Sequence, residues 1–279
     1  MKDLLIVSTY GKEGVKDWWQ IQREFVARNT ENYDFGVFLH NVEDESPFEG
    51  HKIIGRKFDP LLFALPEMFH EIYHYFRRHR YKNYLLLDSD CFPVKPGWLD
   101  CILKLMGDRW YAAPVRTENL DTTPHPCALF VRGEHVGKHL FYFRRPSVGR
   151  VTNLLGEEIQ DIGTGFKTEV GGGQVFFPLL RSNHLNVHPV LAAVYGDLFY
   201  HHGGGSRRTK EGQEPYFRST FYWDKIVPHR YEAGLDAYER LAKNPRRFVN
   251  KLRGGEINKT CHQAQQLSRR QRRRKATTS

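Results

Sequence analysis

The 279-residue sequence predicts an α/β fold with a mostly parallel central sheet and flanking helices. Three observations carry that expectation. Short, continuous apolar runs alternate with segments whose apolar residues recur at helical spacing. The first run ends in polar residues, as a buried parallel strand does when its end opens on a crevice. Hydrophobic residues make up 40% of the chain and aromatics 14%, enough to fill a core of this size.

The elements follow in order. "DLLIVSTY" reads as the first strand, and "VKDWWQIQREFVARNT", with Trp18, Ile21, Phe25 and Val26 on one face, as the helix after it. "DFGVFLHN" is a second strand closing on His40 and Asn41, and "HKIIGRKF" a third. "LFALPEMFHEIYHYFRRHR" places Met68, Ile72, Tyr75 and Phe76 on one helical face, and the buried strand "YLLL" follows it. Beyond residue 90 the order loosens: "GWLDCILKLMG" is a short helix, "RWYAAPVR" and "HPCALFVRG" are strands, and "VLAAVYGDLFYHH" is a strand entering a glycine-rich loop. "GLDAYERLAKNPRRFVNKLRGG" is a helical pair interrupted at Pro245. With no internal repeat and no linker long enough to separate domains, the expected division is one domain over residues 1–255 and a basic tail over 256–279.

The net charge of +10 resembles a nucleic-acid signature until it is located. "RRQRRRK", residues 269–275, holds six positive charges, and about +4 remains on the rest of the chain. Charge gathered in a tail argues against a nucleic-acid partner for the body. It suits a solvated terminus, a polyanion or peripheral contact with an anionic membrane. No apolar run reaches the roughly 18 residues of a membrane span. The first residues lack the long apolar stretch of a signal peptide, so a cytoplasmic location is expected. Four cysteines without CxxC spacing read as reduced thiols.

Two stretches carry chemistry. In "YLLLDSD", Asp88 and Asp90 stand at the end of a buried strand, where open parallel sheets bind ligands. Alternation along an extended segment would turn both carboxylates to one side, a pair suited to Mn²⁺ or Mg²⁺. Capping of nearby amides is the plainer role. In "FYHHGGGSR", His201 and His202 end an apolar run, and three glycines let the backbone approach an anion. Ser206 and Arg207 then offer a hydroxyl and a bidentate guanidinium to phosphate. Either histidine could complete the coordination of the ion held by the aspartates.

Together these stretches resemble a GT-A-fold glycosyltransferase, a user of nucleotide-diphospho-sugars. The resemblance covers roughly residues 3–210 and rests on "LLIVSTY", "DSD" at 88–90, "AAPVRTENLDTTPHPCALFVR" and "HHGGGSR". It implies a single GT-A-like domain, Asp90 as the metal-ligating aspartate with Asp88 nearer the ribose, and His201 or His202 as a further ligand. It implies a nucleotide grip at Ser8, Thr9 and Tyr10, with Ser206 and Arg207 on the diphosphate. Glu118, Asn119, Asp121 and His125 fall in the region that lines the sugar or acceptor pocket. An inverting member needs a base for the acceptor hydroxyl, and Asp161 suits that role, although it suits a helix N-cap equally. The implied partners are a nucleotide-diphospho-sugar donor and a saccharide or lipid-linked acceptor. A divalent-metal phosphohydrolase or nucleotidyltransferase could use the same aspartates and would place further carboxylates around the ion.

Overall fold

The computed structural model describes residues 2–11, 15–58, 65–114, 125–136, 151–152, 158–159, 176–179, 181–185, 192–202 and 237–254. Four parallel strands come first: β1 (Lys2–Gly11), β2 (Tyr33–His40), β3 (Lys52–Lys57) and β4 (Tyr81–Asp88). After β5 (Cys91–Pro93) come β6 (Tyr111–Pro114) and β7 (Ala128–Arg132), and later β8 (Val151–Thr152), β9 (Glu158–Ile159) and β10 (Phe176–Leu179). The central sheet has seven strands in the order β10-β6-β7-β4-β1-β2-β3. Only β7 opposes the rest, because its pairings with β4 and β6 are antiparallel while β10 runs parallel to β6. The expected α/β class with a mostly parallel sheet is thus the one found.

Helices cover both faces, which is why the strands read as continuous apolar runs. Helix α2 (Leu65–Arg78) packs Met68, Phe69, Ile72 and Phe76 against Leu5 and Val7 of β1 and Tyr84 and Leu86 of β4. The alternate residues Leu4, Ile6, Leu85 and Leu87 face the opposite layer. There they meet Trp98, Ile102 and Met106 of α3 (Trp98–Met106), together with Val26 of α1 (Val15–Asn29). Trp18 and Trp98 are fully buried core residues.

A second sheet, in the order β11-β12-β13-β5, uses β11 (Arg181–Leu185), β12 (Ala192–Tyr195) and β13 (Phe199–His202), all antiparallel. This corrects the single strand expected over "VLAAVYGDLFYHH". Gly196 and Asp197 both take positive φ (58° and 55°), and the amide of Leu198 donates to the Tyr195 carbonyl at 2.9 Å. Two central residues of that conformation make the tight turn that joins paired strands, so the run folds back as a hairpin. Aromatic rings tie the second sheet to α1: Phe25 lies 4.5 Å from Phe92, and Phe92 lies 5.0 Å from Tyr200. Helix α4 (Pro245–Arg253), which Asn244 caps through the Arg247 amide at 3.0 Å, adds Phe248, Val249 and Leu252 to the same cluster. The preceding helical stretch, 237–243, ends at Asn244, so the interruption falls where Pro245 was expected to cause it.

Candidate active site

The site forms where β4 leaves the central sheet and β5 enters the second one. Residues 89–90 form a turn, so Asp88 and Asp90 converge through that turn and not through extended alternation. Its backbone is held on every side. Asp88 N–H donates to the Cys127 carbonyl at 2.9 Å, and His202 N–H donates to the Asp90 carbonyl at 3.1 Å. Gln22, on α1 and with no solvent exposure, donates its Nε2 protons to the carbonyls of Asp88 (2.8 Å) and Cys91 (2.7 Å). Its Oε1 accepts the Tyr10 hydroxyl. Two turns further along α1, Asn29 Nδ2 donates to the Pro93 carbonyl at 3.0 Å.

Ser8, Thr9 and Tyr10 are all buried. The Ser8 and Thr9 hydroxyls donate to the Leu87 carbonyl, each at 3.4 Å, and Tyr10 reaches Gln22. Burial pushes the Tyr10 phenol well above its ordinary range, so it stays a donor. These three side chains brace the turn from beneath.

The side chains of Asp88, Asp90 and His201 bring their ligand atoms within 4.8 Å of one another. His201 Nε2 stands 3.7 Å from Asp90 Oδ1, with Asp90 and His201 buried and Asp88 half-buried. Two carboxylates and one imidazole could hold a single divalent cation, and a hard ion in such a set keeps positions for water and phosphate oxygens. Adjacent on β13, His202 turns the other way, as strand alternation requires. It packs 5.1 Å from Trp18, with Nδ1 sharing a 2.8 Å hydrogen bond with the Tyr200 hydroxyl. Tyr200 is fully buried, and burial, reinforced by Asp90 and Cys91, holds its phenol well above the ordinary range.

His125 stands at the partly exposed rim, its ring 5.2 Å from that of His201 and its Nδ1 accepting the Cys127 amide at 3.2 Å. Cys91 and Cys127 are buried against each other, and burial pushes both thiols up. Glu118, Asn119, Asp121, Asp161, Ser206, Arg207 and the tail over 256–279 lie outside the described residues. Gln22 is the site residue that sequence reasoning missed. The available signal was a polar residue inside an apolar stripe, since positions 18, 22, 25 and 26 share one helical face.

Fold and site together define an α/β protein with a cation-suited cluster at the carboxyl ends of its parallel strands. No family model and no curated protein matches the chain. Among solved structures, it is similar to the glycosyltransferase GlyE of Streptococcus pneumoniae, at 14% identity and a TM-score of 0.36 over 49% of this chain and 35% of that one. It is similar to the galactosyltransferase LgtC, solved with donor and acceptor sugar analogues, at 13% identity and a TM-score of 0.32 over 49% of this chain and 60% of that one. TarS of S. aureus, in complex with UDP-GlcNAc, aligns at 12% identity and a TM-score of 0.35 over 52% of this chain and 49% of its own. The chain thus spans about a third of the length of GlyE and less than two thirds of LgtC.

Proposed function

We propose that this protein is a metal-dependent glycosyltransferase that moves a sugar from a nucleoside-diphosphate donor to a saccharide or lipid-linked acceptor. One observation carries the reading: Asp88, Asp90 and His201 converge within 4.8 Å at the carboxyl ends of the parallel strands. The competing phosphohydrolase or nucleotidyltransferase would want more carboxylates around the ion. Among the described residues the third member of that group is an imidazole.

Asp90 and His201 would hold Mn²⁺ or Mg²⁺, with Asp88 reaching toward both the ion and the ribose. When bound, the ion supplies Lewis-acid stabilisation to the departing diphosphate. Ser206 and Arg207 bind the diphosphate oxygens, and the backbone at the end of β1 lies beside the nucleotide, braced by Ser8, Thr9 and Tyr10. In the transfer, the acceptor oxygen attacks the anomeric carbon as the bond from that carbon to the diphosphate oxygen breaks. The bonding pair leaves with the diphosphate, and the acceptor proton passes to the Asp161 carboxylate, giving inversion. Glu118, Asn119, Asp121 and His125 orient the sugars. His202 contributes by fixing the Asp90 carbonyl and the aromatic wall behind it. The domain runs over residues 1–255, and the basic tail over 256–279 supplies the charge for peripheral contact with an anionic membrane surface.

The test is thermal unfolding with UDP or GDP, with and without Mn²⁺. Stabilisation of about 2.7 kcal/mol is expected at a nucleotide concentration a hundredfold above Kd. It should require the metal and vanish in Asp90→Ala. A folded protein that binds no nucleoside diphosphate under any metal condition overturns the assignment. Asp161→Asn should abolish transfer while leaving nucleotide binding intact.

A further inference from the structure

His201 faces two different donor sets. It lies near the oxygens of Asp88 and Asp90 and also near a nitrogen and a sulfur. The ligand atoms of His125, Cys127 and His201 also lie within 4.8 Å of one another. Backbone register places a fourth soft donor alongside. His201 is the direct partner of Cys91 in the antiparallel β5–β13 ladder, so the two side chains leave the same face of the sheet. Cys91 and Cys127 are both fully buried. Two imidazoles and the Cys127 thiol therefore gather at the junction of β7 and β13, with Cys91 next to them on β5.

Thiolate and imidazole donors select thiophilic ions, whereas carboxylates select hard ones. We propose that this junction is a second metal site, in which Cys127, His125 and His201 bind a thiophilic divalent ion such as Zn²⁺ or Co²⁺. Donor atoms around a tetrahedral Zn²⁺ stand roughly 3.3–3.8 Å apart, given bonds of about 2.0–2.3 Å. Because all three donor atoms lie within 4.8 Å of one another, closing on the ion takes a contraction of at most about 1–1.5 Å. Ligation by His125 exchanges one 3.2 Å hydrogen bond from the Cys127 amide for a metal bond. The partly exposed His125 gives the ion its way in, while the Cys127 thiol is buried. Because His201 belongs to both sets, a thiophilic ion here would draw it away from the carboxylates. The centre would then respond to zinc as well as to the hard ion of the proposed transfer reaction.

The experiment is a Co²⁺ titration of the full chain followed by absorption spectroscopy, without nucleotide, so its outcome does not depend on the glycosyltransferase reading. A near-ultraviolet thiolate-to-cobalt charge-transfer band is expected, together with the intense visible bands of low-coordinate cobalt, and Zn²⁺ should displace both. Cys127→Ser should remove the charge-transfer band, and Asp90→Asn should keep it. His125→Asn, at a rimward position that leaves the core intact, should weaken Co²⁺ binding by at least about tenfold. Absence of a thiolate band overturns the proposal, as does a band that survives Cys127→Ser. Should Cys127→Ser fail to fold, an unchanged Co²⁺ affinity in His125→Asn overturns it instead.

Discussion

The two halves of the site are held by different physics. The carboxylate half, the turn from Asp88 to Cys91, is fixed by neutral hydrogen bonds inside the protein: Gln22 to two carbonyls, Asp88 to Cys127, and His202 to Asp90. The histidine half rides on the β12–β13 hairpin. Its tip is fastened by charge: Asp197 accepts from Arg253 Nε at 2.7 Å and Nη2 at 2.9 Å, and from Lys95 Nζ at 3.1 Å. Those partners are partly exposed, with side-chain exposures of 26% for Arg253 and 41% for Asp197. Buried neutral bonds are costly to break and indifferent to salt and to pH near neutrality, whereas half-exposed ion pairs are weak and respond to both. The aspartates are thus set by buried neutral bonds, and the histidine is presented by a hairpin whose tip is latched by charge.

The sharpest way to break this contrast is Gln22→Leu. The substitution keeps the volume on α1 but removes the donors to Asp88 and Cys91 and the acceptor for Tyr10. A loss of about 3 kcal/mol is expected from buried polar groups left without these partners. Urea unfolding measures the loss. Hydrogen exchange should accelerate at the amides of residues 89–92 and stay unchanged at the hairpin tip, 195–198. Equal acceleration in both places would show that the halves are a single unit.

Tyr200→Phe probes the histidine half from within β13. It keeps the ring stacked on Phe92 and removes only the 2.8 Å hydrogen bond to His202. A cost of about 1 kcal/mol is expected, below that of Gln22→Leu. A cost larger than that of Gln22→Leu would place the anchor of the site in the second sheet.

The same contrast explains what was legible beforehand. The central sheet could be read because β1 and β4 are buried on both faces and their runs are unbroken. The two chemically charged stretches could be read because "DSD" and "HH" end such runs. The hairpin could not be read as one apolar run, since the turn depends on two residues at positive φ, and only the Gly-Asp pair at 196–197 announced it. His201 and His202 could not be told apart without the register that sets His201 opposite Cys91. Gln22 was hidden because a glutamine in a helix ordinarily faces water. Its place in line with Trp18 and Phe25 was the clue, and Asn29, two turns further on, repeats it. Nothing local in the sequence gives the bonds that these side chains make 64 to 69 residues away.

The smallest expected effect belongs to the hairpin latch, and its sign can be worked out. Hydrogen bonding by Arg253, and then by Lys95, holds the Asp197 carboxyl below its ordinary value of 3.8 against the opposing effect of burial. A carboxyl depressed in the folded state binds fewer protons there than in the unfolded chain. Its contribution is therefore fully present above the ordinary value and is lost as pH falls through the folded one. Because the pair is partly exposed, Arg253→Met should cost less than about 1 kcal/mol at neutral pH. The difference between wild type and variant should shrink in high salt and vanish well below pH 3.8. Exchange at residues 195–198 of the wild type should rise under the same conditions while the amides of 89–92 hold their protection. A difference that persists in acid would mean that Arg253 acts through packing, or through its 3.4 Å bond to the Val94 carbonyl, and not through the charge on Asp197.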